Sequence, residues 1–206
     1  MDEGPREKPR IGQLAKATTN AWAGEPPLTE ERSRWYPDAP PWRRWNGMSP
    51  EYEFCEFVGA LVALVKPALV IETGVGQGFT TRRIAAALAP GAKLIGYESD
   101  DAWREQLASL SFFDGAGKAL ADVPTPADED VAAADLFVAD SDNELRVEEV
   151  RRWSAHAKPG AFIAIHDTGH GHPDWTPHHR LGELVSSLGL TGVRLPTPRG
   201  SFLGQR

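Results

Sequence analysis

The sequence predicts an α/β fold: a mostly parallel seven-stranded sheet with helices on both faces and an antiparallel last strand. Three observations carry this reading. From residue 49 onward, short apolar runs alternate with segments of helical periodicity, the pattern of a parallel sheet wrapped by its crossover helices. The apolar runs are continuous, as strands buried on both faces must be. The chain closes on "GVRLPTPRGSFLGQR", two short strands around a proline-glycine turn.

The elements follow in order. Ser49-Pro50 reads as an N-cap followed by proline at the first helical position. Phe54, Phe57, Val58, Leu61 and Val65 then recur at helical spacing, and Pro67 ends the helix. "ALVIE" (68–72) is a central strand, Phe79–Leu88 a helix closed by Pro90-Gly91, "AKLIGYE" (92–98) the second strand and "DAWREQLASL" (101–110) the second crossover helix. Over 111–133 the pattern is mixed: "LSFFDG" is the candidate third strand and "PTPADED" a loop. "ADLFVAD" (134–140) is a strand. Residues 143–157 are helical, with Leu145, Val150, Trp153 and Ala157 among the inward positions. "GAFIAIHD" (160–167) is a strand, and Leu181, Leu184, Val185 and Leu188 mark the last helix.

Residues 1–48 stand apart from the domain at 49–206. They hold seven of the seventeen prolines and four of the seven tryptophans. Pro37, Pro40 and Pro41 forbid a continuous helix there. The first dozen residues are expected to be disordered. Trp35, Tyr36, Trp42 and Trp45 are read as a lid over the domain, a stabilising wrap or a contact in a homodimer.

At 206 residues and 41% hydrophobic, the chain can bury a sizeable core. Its formal charge of −7 argues against nucleic acid, whose binding needs a basic face. The arginine clusters (Arg32, Arg34, Arg43, Arg44; Arg151, Arg152) have acids close by. There is no apolar run of membrane-spanning length and no signal-peptide pattern in "MDEGPREKPR". The single cysteine, Cys55, sits among apolar helix residues and is read as core. With one cysteine no intrachain disulfide is possible, which suits a cytoplasmic protein.

Ligands of such sheets bind beyond the carboxyl ends of the strands, near the switch point. The residues there are Glu72, Glu98, Asp140, and His166 with Asp167. After Glu72 comes Thr73-Gly74-Val75-Gly76-Gln77-Gly78. Glycines between a strand and a helix make a shelf of bare backbone for a ligand. The spacing is G-x-G-x-G, not the G-x-G-x-x-G of dinucleotide folds, and no G-K-[ST] follows; this opposes a nicotinamide-dependent reductase. Glu98, twenty residues after Gly78, is placed to accept both hydroxyls of a ribose. Acids at 72 and 98 repel phosphate and suit a cationic ligand with a free amino group.

"VIETGVGQGFTT" with "LIGYESD", "ADLFVAD" and "KPGAFIAIHDTGH" resembles the Rossmann-like class I S-adenosylmethionine-dependent methyltransferases over roughly 49–206. The likeness is closest to small-molecule O-methyltransferases, including sugar and macrolide enzymes and cephalosporin-hydroxylase-like relatives. The resemblance implies S-adenosyl-L-methionine as cofactor. Glu72 and the backbone of Gly74, Gly76 and Gly78 would face its methionine and ribose portions, with the strand-end acid Asp140 counted among them. Glu98 would hold the ribose, and Ser99 with Gly115-Ala116 would flank the adenine. It implies O-methylation of a small-molecule acceptor, a sugar hydroxyl or a secondary metabolite.

An acceptor hydroxyl needs a base or a Lewis-acidic metal. The resemblance places a divalent ion, Mg2+ or another, on Asp140, His166 and Asp167; the histidine departs from the acidic pair expected there and leaves the metal open. The family pattern D-x-D-H has Asn143 in its last position. Asn143 or Asp142 is read as a helix cap, with Asp142 the alternative base. "HDTGHGHPDWTPHH" holds five of the six histidines, and His170 is the one taken as base or substrate contact. The readings set against O-methylation are metal-independent N-methylation and a catalytically silent cofactor-binding scaffold.

Overall fold

A computed structural model describes residues 50–108, 113, 117–168, 176–195, 197 and 199–206. The Trp-rich segment, Gly115-Ala116 and His170 lie outside these residues. The elements are α1 (Tyr52–Val65), β1 (Leu69–Thr73), α2 (Phe79–Ala87), β2 (Lys93–Tyr97), α3 (Asp101–Ala108), β3 (Lys118–Leu120), α4 (Asp128–Ala133), β4 (Leu136–Ala139), α5 (Asn143–His156), β5 (Phe162–His166), α6 (Thr176–Ser187), β6 (Thr191–Leu195) and β7 (Ser201–Gln205). The sheet order is β3-β2-β1-β4-β5-β7-β6. All pairings are parallel except those of β7, which is antiparallel to both β5 and β6. The chain winds outward from β1 to β3, then crosses back to β4, so the switch point lies between β1 and β4.

The strands bury both faces, and their period-two alternation sorts the core into two layers. Val70, Leu136, Val138, Phe162, Ala164 and Leu203 pack on α1 and α2 through Phe54, Phe57, Leu61 and Ile84. Ile71, Phe137, Ala139, Ile163, Ile165 and Phe202 face the other way, onto Val131, Val150, Trp153, Leu181 and Val185 of α4, α5 and α6. Helices therefore cover both faces, as the continuous apolar runs require. Cys55 is buried in α1, and burial pushes its thiol pKa up, against nucleophilic use. Among the described residues no helix is long and apolar enough to cross a membrane.

Three local readings change. The N-cap of α1 is Glu51 rather than Ser49, and its side chain makes no cap hydrogen bond because it serves a tertiary contact instead. The third strand of the sheet is Lys118–Leu120, while "LSFFDG" lies, but for Phe113, outside the described residues; only three residues long, this strand carries too little pattern to be seen and is defined by its pairing with Leu94–Gly96. "PTPADED" is not all loop, since α4 starts at Asp128. Asp128, Glu129 and Asp130 occupy its first turn, where the helix dipole favours acids. Arg152 of α5 pairs with Asp128 at 3.1 Å, and the Tyr97 hydroxyl donates to Asp130 at 3.0 Å. A six-residue helix is marginal alone; these contacts from β2 and α5 hold it.

Trp153 is fully buried in the layer beneath α5. Trp153→Ala is expected to cost about 3–5 kcal/mol of folding free energy, read as a lowered denaturant midpoint with an unchanged m-value.

Candidate active site at the switch point

The glycine loop leaves β1 and crosses directly over the end of β4. Gly74, at φ 73°, lies so close that a Cβ there would sit 2.2 Å from the Asp140 carbonyl oxygen. No side chain fits, whether or not a ligand is bound. Gly76 (φ 51°) continues the left-handed turn, and Gly78 (φ 75°) is the N-cap residue of α2. The loop is tied to β2 by Glu98. Its Oε2 accepts from the Gly76 amide at 2.7 Å and its Oε1 from the Asp100 amide at 2.9 Å. A carboxylate offers about four lone-pair positions, so each oxygen retains capacity for a ligand hydroxyl. Ser99 follows on the exposed side of this turn.

Glu72 is different. It is 1% exposed, and its Oε2 has no hydrogen-bond partner among the described residues. Burial raises its pKa; the nearby Thr81 hydroxyl lowers it, and Asp140 and Glu98 raise it further, to about 8. An acid at the last buried position of β1, its charged form disfavoured and one oxygen unpaired, is poised for a cationic partner.

The ends of β4 and β5 carry a second group of charges. His166 lies on the α1 face of β5, under the Phe54 ring at 4.6 Å between centroids. Its Nδ1 lies 2.6 Å from Asp140 Oδ1, and its Nε2 is hydrogen-bonded to Glu51 Oε2. Burial alone would lower the imidazole pKa, but Asp140, Asp167 and Glu51 outweigh it and push it up to about 9. Glu51 answers in kind. Burial opposes its charge, yet His166 and Arg199 hold its pKa below the usual carboxylate range. Asp167 sits in the left-handed region at φ 56°, which aspartate tolerates better than most residues. Its Oδ2 accepts from Arg146 at 3.1 Å and from Arg199 at 2.8 Å, while Arg199 Nε approaches Oδ1 at 2.7 Å. Arg146 also reaches Asp140 at 3.4 Å and donates to the His166 and Ser141 carbonyls. Beside it, Glu149 Oε2 accepts from the Thr73 and Ser141 hydroxyls at 2.8 and 2.6 Å.

The structure thus brings Asp140, His166 and Asp167 together, and adds Glu51, Arg146, Arg199 and Glu149, which pattern reading missed. Arg146 and Glu149 had a signal: they stand three or four residues from Val150 and Trp153 on the inward stripe of α5. Glu51 and Arg199 had none, because a helix start and a β6–β7 turn meet only in three dimensions. Asp142, not Asn143, caps α5, its Oδ1 accepting from the Glu144 and Leu145 amides at 3.0 and 3.2 Å.

The donor set that could hold a divalent ion already carries cations of the chain. Glu51, His166 and Asp167 have ligand atoms within 4.8 Å of one another, a spacing that would admit an ion. Both nitrogens of His166 face carboxylates. Two guanidiniums already sit on the Asp167 carboxylate. Like unit charges about 4 Å apart repel by about 4 kcal/mol at an effective dielectric of about 20, and a divalent ion doubles this.

No protein-family model matches the sequence, and comparison with curated proteins returns no match. Comparison of folds does. The O-methyltransferase TomG from Streptomyces achromogenes, solved with S-adenosylmethionine, is 16% identical and superposes with a TM-score of 0.56 over 96% of this chain and 98% of its own. The Podospora anserina methyltransferase PaMTH1, bound to S-adenosylhomocysteine, gives 0.65 at 13% identity over 98% of both chains. An O-methyltransferase from Bacillus cereus, also with S-adenosylhomocysteine, gives 0.61 at 13% identity over 96% and 92%. The chain has the class I O-methyltransferase fold. The glycine loop, Glu72 and Glu98 stand on the β1–β2 side of the switch point, and the Asp140–His166–Asp167 cluster on the β4–β5 side.

The two shifted groups give this methyltransferase fold a defined pH response. Between about pH 4.5 and 8 the unfolded chain loses the Glu72 proton while the folded chain keeps it, so stability falls as pH rises. The His166 contribution is intact below about pH 6.5 and is lost as pH rises through about 9. Glu72→Gln removes the first slope and leaves the second. It is expected to raise Tm above wild type at about pH 8 and to converge with it toward about pH 4.5, measured by thermal unfolding across pH.

Proposed function

We propose that the chain is an S-adenosylmethionine-dependent O-methyltransferase acting on a small molecule. The observation that carries this is the buried Glu72 carboxylate with an unpaired oxygen, beside a glycine loop pinned by Glu98 at the β1–β4 switch point. A sulfonium nucleoside answers each feature: its ammonium suits the acid at 72, its ribose hydroxyls suit Glu98, and its methionine portion lies along the backbone of Gly74, Gly76 and Gly78. Ser99 flanks the adenine, and Asp140 closes the far side of the pocket. The neighbours solved with S-adenosylmethionine or S-adenosylhomocysteine support the cofactor, and their description as O-methyltransferases supports oxygen as acceptor.

The chemistry asked of the protein is modest. The methyl group leaves a sulfonium, and the enzyme aligns the acceptor oxygen with the S–CH3 bond and excludes water, which lowers the barrier by orientation. The acceptor is a sugar hydroxyl or a secondary metabolite. His166 is not the proposed base, since both of its ring nitrogens face carboxylates, those of Glu51 and Asp140. Asp142, exposed at the start of α5 with Oδ1 committed to the cap, and His170 are the proposed bases.

Calorimetric titration with S-adenosylmethionine and with NADH tests the cofactor. The expected result is binding of the first and not the second; tighter NADH binding would end the reading. Glu98→Ala removes two charge-assisted acceptors, each worth about 1.5–3 kcal/mol. It is expected to weaken S-adenosylmethionine by about tenfold or more, and an unchanged affinity refutes the ribose role.

A further inference from the structure

We propose that Arg146 and Arg199 stand where a divalent cation would otherwise sit in this fold, so that the cluster at the ends of β4 and β5 is a closed ionic lock that excludes metals. The argument is one of position and charge. Three carboxylates (Glu51, Asp140, Asp167) meet one imidazole and two guanidiniums: His166 lies between Glu51 and Asp140, Arg146 reaches Asp140 and Asp167, and Arg199 reaches Asp167 and, by its backbone amide, Glu51. Buried carboxylates demand such compensation. In an ion centre a metal supplies it; here the chain supplies it from its own α5 and from the β6–β7 turn.

The arrangement has a geometric signature that an ion centre lacks. Arg199 donates from Nη2 to Asp167 Oδ2 at 2.8 Å, its Nε lies 2.7 Å from Oδ1 as an ion pair, and its own backbone amide donates to Glu51 Oε1 at 3.1 Å. A directed hydrogen bond from a guanidinium fixes direction as well as charge, which a spherical ion does not. The lock therefore joins five segments: the residue before α1, the ends of β4 and β5, α5 and the C-terminal hairpin. A metal could be removed by a chelator; this set of cations cannot.

The exclusion of metal does not depend on which cofactor the domain binds. One consequence does rest on the proposed methyl transfer: deprotonation of the acceptor does not pass through an ion on Asp140 and Asp167.

The test uses Mn2+ as probe on the EDTA-dialysed full chain, followed by electron paramagnetic resonance and by thermal unfolding. Wild type is expected to take up no stoichiometric Mn2+ at millimolar concentration and to show no Mn2+-dependent rise in Tm. Arg199→Gln, and separately Arg146→Gln, strip one guanidinium from the carboxylates. A folded variant, checked by circular dichroism, is expected to gain one Mn2+ per chain and a Tm that rises with Mn2+, and adding Asp167→Asn is expected to abolish both. One Mn2+ on wild type that is lost in Asp167→Asn overturns the proposal. So does a folded arginine variant that gains none. If neither variant folds, the wild-type titration against Asp167→Asn decides alone. S-adenosylmethionine binding is titrated in parallel on wild type; its absence would overturn the methyltransferase reading and leave the lock untouched.

Discussion

The bond between Asp167 and its two arginines is the contact on which the rim of this sheet depends. Asp167 is almost fully buried, and its backbone is left-handed. A buried carboxylate in that position is unfavourable by itself. Arg146 and Arg199 reverse the balance. In doing so they bring α5 and the β6–β7 turn to the end of β5, and through Asp140, His166 and Glu51 they extend the same network to β4 and to the entry of α1. The hydrophobic layers determine which face each helix covers. The ionic cluster determines how the segments meet above the strand ends, where a ligand has to be accommodated.

The rim is electrostatically divided. On the β4–β5 side acids and bases balance within the cluster. On the β1–β2 side Glu72 and Glu98 have no arginine or lysine among their hydrogen-bond partners in the described residues, and Glu72 keeps its proton to about pH 8. A cation arriving there meets an acid that gains by ionising, and a phosphate meets no cationic side chain among the hydrogen-bond partners of either acid. One edge thus presents acids without a compensating cation, and the neighbouring edge, equally rich in carboxylates, carries guanidiniums of the chain itself. Gly74 links the halves, since its bare Cα lets the glycine loop rest on the Asp140 carbonyl.

Much of this was legible in one dimension. The strands around Ile71, Ile95, Phe137 and Ile163 are apolar on both faces and announce themselves without their partners. The strand-end positions of Glu72, Glu98, Asp140 and His166 follow from the same runs. Where reading failed, local signal was weak or served two purposes. Lys118–Leu120 is too short to carry a period, and Asp128–Ala133 begins as an acidic stretch after two prolines, which reads as loop until Arg152 and Tyr97 are in place. Glu51 looks like part of a helix start and is spent on His166.

The amino-acid order by itself determined the α/β class, the mostly parallel sheet with its reversed last strand, and the glycine loop with an acid on either side. It did so because periodicity, strand-end chemistry and glycine spacing are local properties. Which partners Asp140, His166 and Asp167 meet was decided only by the tertiary structure. That choice depends on guanidiniums from residues 146 and 199 and a carboxylate from residue 51, and no spacing rule connects positions so far apart until the sheet brings their charges within a few ångströms.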